Sequence, residues 1–216
     1  MRFIKKGREP NLLRLYREED YATFKGLPEQ THKALKDQLL CEQGFTCAYC
    51  MQNITYDNMK IEHWLPQSAN RDKSSTLNYV NLLGCCIGND KEGFGPALQT
   101  CDTKKANQLL KYSPAVNRDD INNKIKYLVS GKIESDDITF NEQINSVLNL
   151  NLKMMVDNRL GALSVIKNKL ASKKGPRTKA EIQKMLLLVS NKQPTGKYFA
   201  YYGFLMDYLE KRLKKM

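Results

Sequence analysis

Cys47 and Cys50, separated by two residues, open a stretch that holds five of the chain's six cysteines. That spacing lets two thiolates reach one tetrahedral ion from a tight turn. Cys85, Cys86 and Cys101 follow at a distance, and no βαβ pattern surrounds the pair, so a thioredoxin-like redox pair is the weaker reading. The start, Met1-Arg2-Phe3-Ile4-Lys5-Lys6, is basic but lacks the apolar segment of a secretory signal. No run of about 18 apolar residues is present to span a membrane. A cytoplasmic address is therefore expected, where thiols stay reduced and clustered cysteines serve metals. Cys41, outside the stretch, reads as a packed thiol.

Around this stretch the pattern predicts a mainly helical α+β chain. Residues 1–27 mix basic and aromatic side chains without a period, although Leu12, Leu13, Leu15 and Tyr16 are candidates to pack across a core. Residues 28–43 read as a helix: proline suits the first turn, Ala34, Leu35, Leu39 and Leu40 give a partial apolar face, and Gly44 caps the end. His32 lies on it as a surface or partly packed imidazole. Residues 53–62 are expected to hold a strand leading to His63, closed by Pro66, with a polar loop over 67–75. A second short strand or turn is expected over 78–86. Gly84, Gly88, Gly93, Gly95 and Pro96 mark an irregular excursion, and a helix should run from Thr100–Asp102 toward Leu110. The result is a strand–strand–helix unit with cysteines on both sides.

From Asp119 onward the sequence reads as mostly helical. Val156, Leu160, Leu163, Ile166 and Leu170 recur at 3.6-residue spacing. Lys173-Lys174-Gly175-Pro176-Arg177 is a basic break. Thr178 with Glu181 forms a capping box for a helix carrying Ile182, Met185, Leu186 and Val189. Gly196 precedes a last helix with Phe199, Tyr202, Met206, Leu209 and Leu213.

Hydrophobic residues make up 41% of the chain, enough for a core, so global disorder is excluded. The net charge of +12 is uneven. Residues 151–216 carry 15 Lys and Arg against 4 Asp and Glu, net +11, and residues 1–150 carry 20 against 19, net +1. A basic lobe beside a near-neutral core suits attraction to a phosphate backbone, though a solvated lysine-rich surface has the same composition.

His63 is one of only two histidines, and a carboxylate precedes it. Phosphodiester hydrolysis needs a base of near-neutral pKa to activate water and a cation to neutralise the phosphate. His63 fits the first role. Glu62 offers a hard oxygen ligand, and Asp102, at a helix start beside a cysteine, offers a second; magnesium takes one or two carboxylates and keeps several waters. Adjacent strand residues face opposite sides, so Glu62 and His63 need a twist or bulge to address one phosphate. Asn81 is a candidate to hold His63 in orientation. Alone, Asn81 would be a turn residue and Asp102 an N-cap. Together they form an ordered set: CxxC, Glu-His-x-x-Pro, Asn-Leu-Leu, Cys, then Cys-Asp-x-x-Lys.

That order resembles the HNH, or ββα-metal, endonucleases with a zinc-bound frame. More closely, the chain is similar to the PtuB-like HNH nucleases of Septu and retron anti-phage systems. The similarity rests on Met1-Arg2-Phe3-Ile4-Lys5-Lys6, Gln43-Gly44-Phe45-Thr46-Cys47-Ala48-Tyr49-Cys50 and Glu62-His63-Trp64-Leu65-Pro66-Gln67-Ser68. It continues through Asn81-Leu82-Leu83, Cys101-Asp102-Thr103-Lys104-Lys105, Leu148-Asn149-Leu150-Asn151 and Arg159. The resemblance implies a nuclease domain over residues 1–115, with an N-terminal helical segment and a zinc-bound ββα-metal core, and a basic helical region over 116–216. It implies His63 as general base, Glu62 and Asp102 at a catalytic magnesium (or manganese), and Asn81 orienting the base. Many relatives carry Asn or His where Asp102 stands. The structural zinc would use Cys47, Cys50 and Cys101 with Cys86 or Cys85; the family's spacing after Asn81 favours Cys86.

The resemblance also implies partners: a PtuA-type SMC/ABC ATPase and, in retron systems, a reverse transcriptase with its RNA–DNA product. The chain has no P-loop of its own. DNA is the default substrate, with RNA, including transfer RNA, left open. The competing reading is a non-catalytic zinc-ribbon module that binds nucleic acid, which leaves Glu62, His63 and Asp102 without a task.

Overall fold

The computed structural model describes residues 1–69, 72–90, 95–172 and 175–216. Gly93 and the Lys173-Lys174 pair lie outside them. The architecture is mainly helical with two small two-stranded antiparallel sheets. Among the described residues no helix is long and apolar enough to cross a membrane.

Helix α1 (Asn11–Glu18) packs on α2 (Glu29–Glu42). Leu13 and Tyr16 of α1 are buried, whereas Leu12 and Leu15 face solvent. On α2 the buried stripe is Thr31, Leu35, Leu39 and Leu40, and His32 is partly exposed. Cys41, expected to be packed, is exposed. It follows Leu40 by about 100° around the helix, which turns it off the buried stripe. Gly44 ends the helix at φ +57, and the Tyr198 amide donates to its carbonyl at 2.9 Å.

The buried amide of Gln43 then joins three elements. Its Nε2 donates to the carbonyls of Thr46 (2.8 Å) and Gly84 (2.7 Å), and its Oε1 accepts from the Gly84 amide (2.7 Å). A buried amide satisfied at each group becomes a rigid joint, because leaving either group unpaired is costly. Thr46 and Asn53 pair across the cysteine turn, and the Ala48 amide donates to the Gly84 carbonyl at 3.0 Å. The turn is thereby fixed to the second strand of the first sheet.

That sheet pairs β1 (Met59–His63) with β2 (Leu82–Cys86) in an unbroken register from Met59 opposite Cys86 to His63 opposite Leu82. The strand expected over 53–62 forms only from Met59; Thr55 to Asn58 is held as a turn, with the Thr55 amide donating to Asn58 Oδ1. A four-residue helix, α3 (Lys73–Thr76), and a single 3₁₀ turn lead into β2. Helix α4 (Cys101–Lys105) follows and is shorter than expected. Ala106 swings to φ 47, ψ −123 and ends it well before Leu110.

The stretch after Asp119 departs furthest from its helical expectation. A short α5 (Ile121–Lys124) is followed by a hairpin of β3 (Lys126–Tyr127) and β4 (Ile133–Glu134), then α6 (Ile138–Glu142) running into a π turn over Gln143–Val147. Two-residue strands carry too little alternation to be read from sequence. The remaining helices match their periodic patterns. In α7 (Lys153–Ala171), Leu163, Ile166 and Leu170 are buried. Helix α8 (Lys179–Ser190) begins with the Thr178–Glu181 capping box and buries Ile182 and Val189. Helix α9 (Tyr202–Lys214) packs on α7 and α8. Phe199, expected in this helix, precedes it, because Tyr201 at φ 58 breaks the helical path.

The two halves of the chain meet through backbone. The Cys101 amide donates to the Leu148 carbonyl (2.9 Å), Tyr201 to Met51 (2.7 Å) and Ile4 to Pro114 (2.7 Å). One buried apolar cluster runs from Met1 to Leu209.

Gly44→Ala tests the joint at the end of α2. A β-carbon there meets a positive φ and overlaps the Tyr198 ring. Stability should fall by about 2–4 kcal/mol, seen as a melting temperature lower by roughly 5–15 °C.

Candidate active site and metal centre

Cys47 and Cys50 from the turn, Cys86 from the end of β2 and Cys101 from the start of α4 bring their sulfurs within 4.8 Å of one another, and all four are buried. The Cys50 and Cys86 sulfurs are 3.9 Å apart. A tetrahedral zinc ion with Zn–S bonds of about 2.3 Å requires S···S edges of about 3.8 Å, so the donor set fits zinc in number, softness and spacing. Cys85, next along β2, reaches Cys47 but is buried outside the set of four mutually close sulfurs. The choice left open by sequence thus falls to Cys86.

Burial alone would raise Cys47, but hydrogen bonds from Cys101, Cys50, Cys85 and Cys86 hold it well below its ordinary value. Burial pushes Cys50 well above it. The thiols thus share hydrogen bonds that ligation of a soft divalent cation would replace.

Beside this centre, an open cleft of about 360 Å³ is lined by Glu62, His63, Gln67, Asp102 and Asn107, among others. The three residues expected at a reaction centre therefore share one cavity. No bulge is needed, because the ladder is regular to its end. Glu62 and His63 occupy the last two positions of β1, where the chain turns away into Trp64, and Asp102 reaches them from α4.

Glu62 is only 4% exposed. It accepts from the Tyr49 hydroxyl (2.9 Å) and forms an ion pair with Lys105 Nζ (2.6 Å). Lys105 is fully buried and also donates to the His63 carbonyl at 3.1 Å. Burial, then a hydrogen bond and like charge from Asp102, push Glu62 well above the ordinary carboxylate range despite Lys105. Burial and the neighbouring Asp102 make it costly for Glu62 to carry its charge in this corner. A divalent cation held by Glu62 and Asp102 would relieve that cost. Removing Lys105 alone would strand a buried charge, at a cost of about 3–5 kcal/mol.

His63 is 6% exposed. Its Nε2 lies 2.9 Å from the Thr76 carbonyl, which can only accept, so the ring proton sits on Nε2. Nδ1 is then the basic nitrogen, and the Gln67 amide donates to it at 3.3 Å. Burial lowers the imidazole pKa against the opposing Thr76 hydrogen bond and Asp102 charge, which leaves the ring neutral near pH 7. Phe24 packs edge-on to the ring, with centroids 4.4 Å apart.

Asn81 does not touch His63. Its Oδ1 accepts from the Leu65 amide (2.7 Å), and its Nδ2 donates to the Leu65 and Ser75 carbonyls, both at 3.1 Å. It pins the chain on one side of the ring just after His63, and on the other side just before Thr76. Tyr49, Gln67, Thr76, Phe24 and Lys105 were not singled out from sequence for the site. Only Tyr49, inside the CxxC turn, and Lys105, three residues after Asp102, carried a positional signal.

No family model matches the chain. It is 31% identical over 83 residues to a Vibrio cholerae protein described as "Retron Vc95 putative HNH endonuclease", over 38% of each chain. It is also 31% identical over 83 residues to an Escherichia coli protein described as "Retron Ec83 putative HNH endonuclease", over 35% of this chain and 32% of that one.

Metal analysis of the purified chain should find one zinc per molecule. Cys47→Ser and Cys101→Ser should each lower that to less than half, and Cys85→Ser should leave it intact. Equal loss from Cys85→Ser would reassign the fourth ligand. Spanning about a third of their length, the chain is similar to these retron HNH endonucleases.

Proposed function

We propose that the chain is a metal-dependent endonuclease of the HNH class that hydrolyses nucleic-acid phosphodiester bonds as the effector of a retron or Septu-type anti-phage system. The observation that carries this reading is the shared cleft: an imidazole whose Nε2 is held by a backbone carbonyl, leaving Nδ1 as the basic nitrogen, lines the same cavity as two carboxylates.

In this reading His63 Nδ1 takes a proton from the water that attacks phosphorus. The Thr76 carbonyl holds the opposite ring nitrogen and steadies the imidazolium that forms. Gln67 leaves Nδ1 as the water arrives, or holds that water in place. Glu62 and Asp102 would hold magnesium or manganese, which when bound supplies the positive charge that a cleaved phosphate requires. Asn81 keeps the two strands of chain around the ring in place. The four-cysteine centre is structural in this scheme, since all its sulfurs are buried.

The basic excess of residues 151–216 supports approach to a phosphate backbone. DNA is the proposed default substrate. A PtuA-type SMC/ABC ATPase, and in a retron the reverse transcriptase with its RNA–DNA product, are the proposed partners, and the helices of the C-terminal region are the proposed docking surface.

The test is cleavage of plasmid DNA and of RNA by the zinc-loaded chain with magnesium or manganese, alone and with the ATPase. His63→Ala should reduce cleavage by about a hundred- to ten-thousand-fold while zinc content and the unfolding transition persist. Full activity in that variant rejects the assignment. A wild-type chain that binds nucleic acid but cuts nothing in any combination supports the adaptor reading instead.

A further inference from the structure

Arg159 is the largest fully buried side chain among the described residues, at 0% exposure. Its Nε donates to the Gly131 carbonyl (2.5 Å), and its Nη2 donates to the Leu150 carbonyl (2.8 Å) and Asn151 Oδ1 (3.4 Å). Its Nη1 is buried with no hydrogen-bond partner. Each of these partners is neutral, and among the described residues no carboxylate pairs with it. A guanidinium does not lose its proton in proteins, so a full positive charge sits in the core without an anion. Buried charges are tolerated when paired, so an anion should lie nearby.

Among the described residues, the group beside it that would become anionic on binding a metal is the four-cysteine group, whose Cys50 and Cys101 act on its charge. Burial lowers the Arg159 pKa, and Tyr127, Cys50, Tyr201 and Cys101 act against it. The backbone links the two directly: Leu150 accepts from Arg159, and Leu148, two residues earlier, accepts from the amide of Cys101. A zinc ion bound by four thiolates carries a net charge of −2, and that charge is buried with its ligands.

We propose that Arg159 is the counter-charge of the four-cysteine centre, so that zinc loading and the seating of α7 stabilise each other. The inference rests on the zinc reading of the cluster and adds a residue that ligates nothing. The guanidinium of α7 would lower the cost of burying a dianionic centre when zinc is bound. The helical region after residue 115 is then coupled to the frame that holds the cleft.

The experiment measures zinc affinity of the full chain by chelator competition in Arg159→Lys and Arg159→Gln. Each is made in the wild-type background and with Cys86→His, which reduces the charge of the centre from −2 to −1. Arg159→Gln should weaken zinc binding by about tenfold or more and Arg159→Lys by clearly less. With Cys86→His present, the penalty of Arg159→Gln should shrink severalfold. Equal penalties in both backgrounds, or Lys no better than Gln, would show that Arg159 only braces carbonyls and would overturn the proposal. If Arg159→Gln does not fold, Cys86→His should restore a folded, zinc-loaded chain, and failure to do so overturns it as well. A wild-type chain that binds no zinc removes the metal reading itself, which is a separate result from zinc bound without regard to residue 159.

Discussion

Four sulfurs from three separate stretches of chain meet within 4.8 Å, and the geometry of the neighbouring cleft is set by that meeting. The turn bearing Cys47 and Cys50 and the whole of β2 are buried, so this meeting lies within the core. A structural zinc ion in such a site contributes roughly 10–16 kcal/mol, against about 5–15 kcal/mol for the net stability of a whole domain. Metal of that strength would decide whether this half of the chain is ordered at all.

The sulfur centre and the cleft are one covalent unit. Tyr49 stands between the two cysteines of the turn and donates to Glu62. Asp102 directly follows Cys101. Cys86 and Glu62 lie on paired strands, with β1 held in a single register against β2. A one-residue slip of β1 against β2 would turn Glu62 away from Lys105. The frame and the chemistry therefore cannot drift independently, which explains how a five-residue helix and two five-residue strands suffice to position three reactive groups.

What could be read from the sequence was what repeats or punctuates. The helices α2, α7 and α8 carried their apolar spacing, Gly44 and the Thr178–Glu181 box marked real termini, and the cysteine spacing located the centre. Contacts assembled across long separations were hidden. Phe24 lies in a stretch without period yet packs on the His63 ring. Thr76 acts through a carbonyl that every residue possesses. Lys105 closes the Cys-Asp-x-x-Lys element, but its task shows only when the fold buries it against Glu62. Between Cys85 and Cys86 the family's spacing favoured Cys86, and the four-sulfur group contains it. The β3–β4 hairpin fell below the length at which alternation is visible.

Buried cations follow a pattern that composition conceals. Among the described lysines and arginines, Lys105 and Arg159 are fully buried, and both are anchored by backbone carbonyls, Lys105 beside Glu62 and Arg159 near the cysteines. A carbonyl anchor fixes a cation's position without neutralising it, so its full charge remains available to the anion beside it. A carboxylate partner for Arg159 would cancel that charge and leave the sulfurs uncompensated. The basic excess of residues 151–216 works at a different range: exposed ammonium groups act through solvent over about 8–10 Å and weaken with salt. The two kinds of positive charge should therefore separate by ionic strength, with salt loosening the hold on a polyanion and leaving the interior pairings nearly untouched.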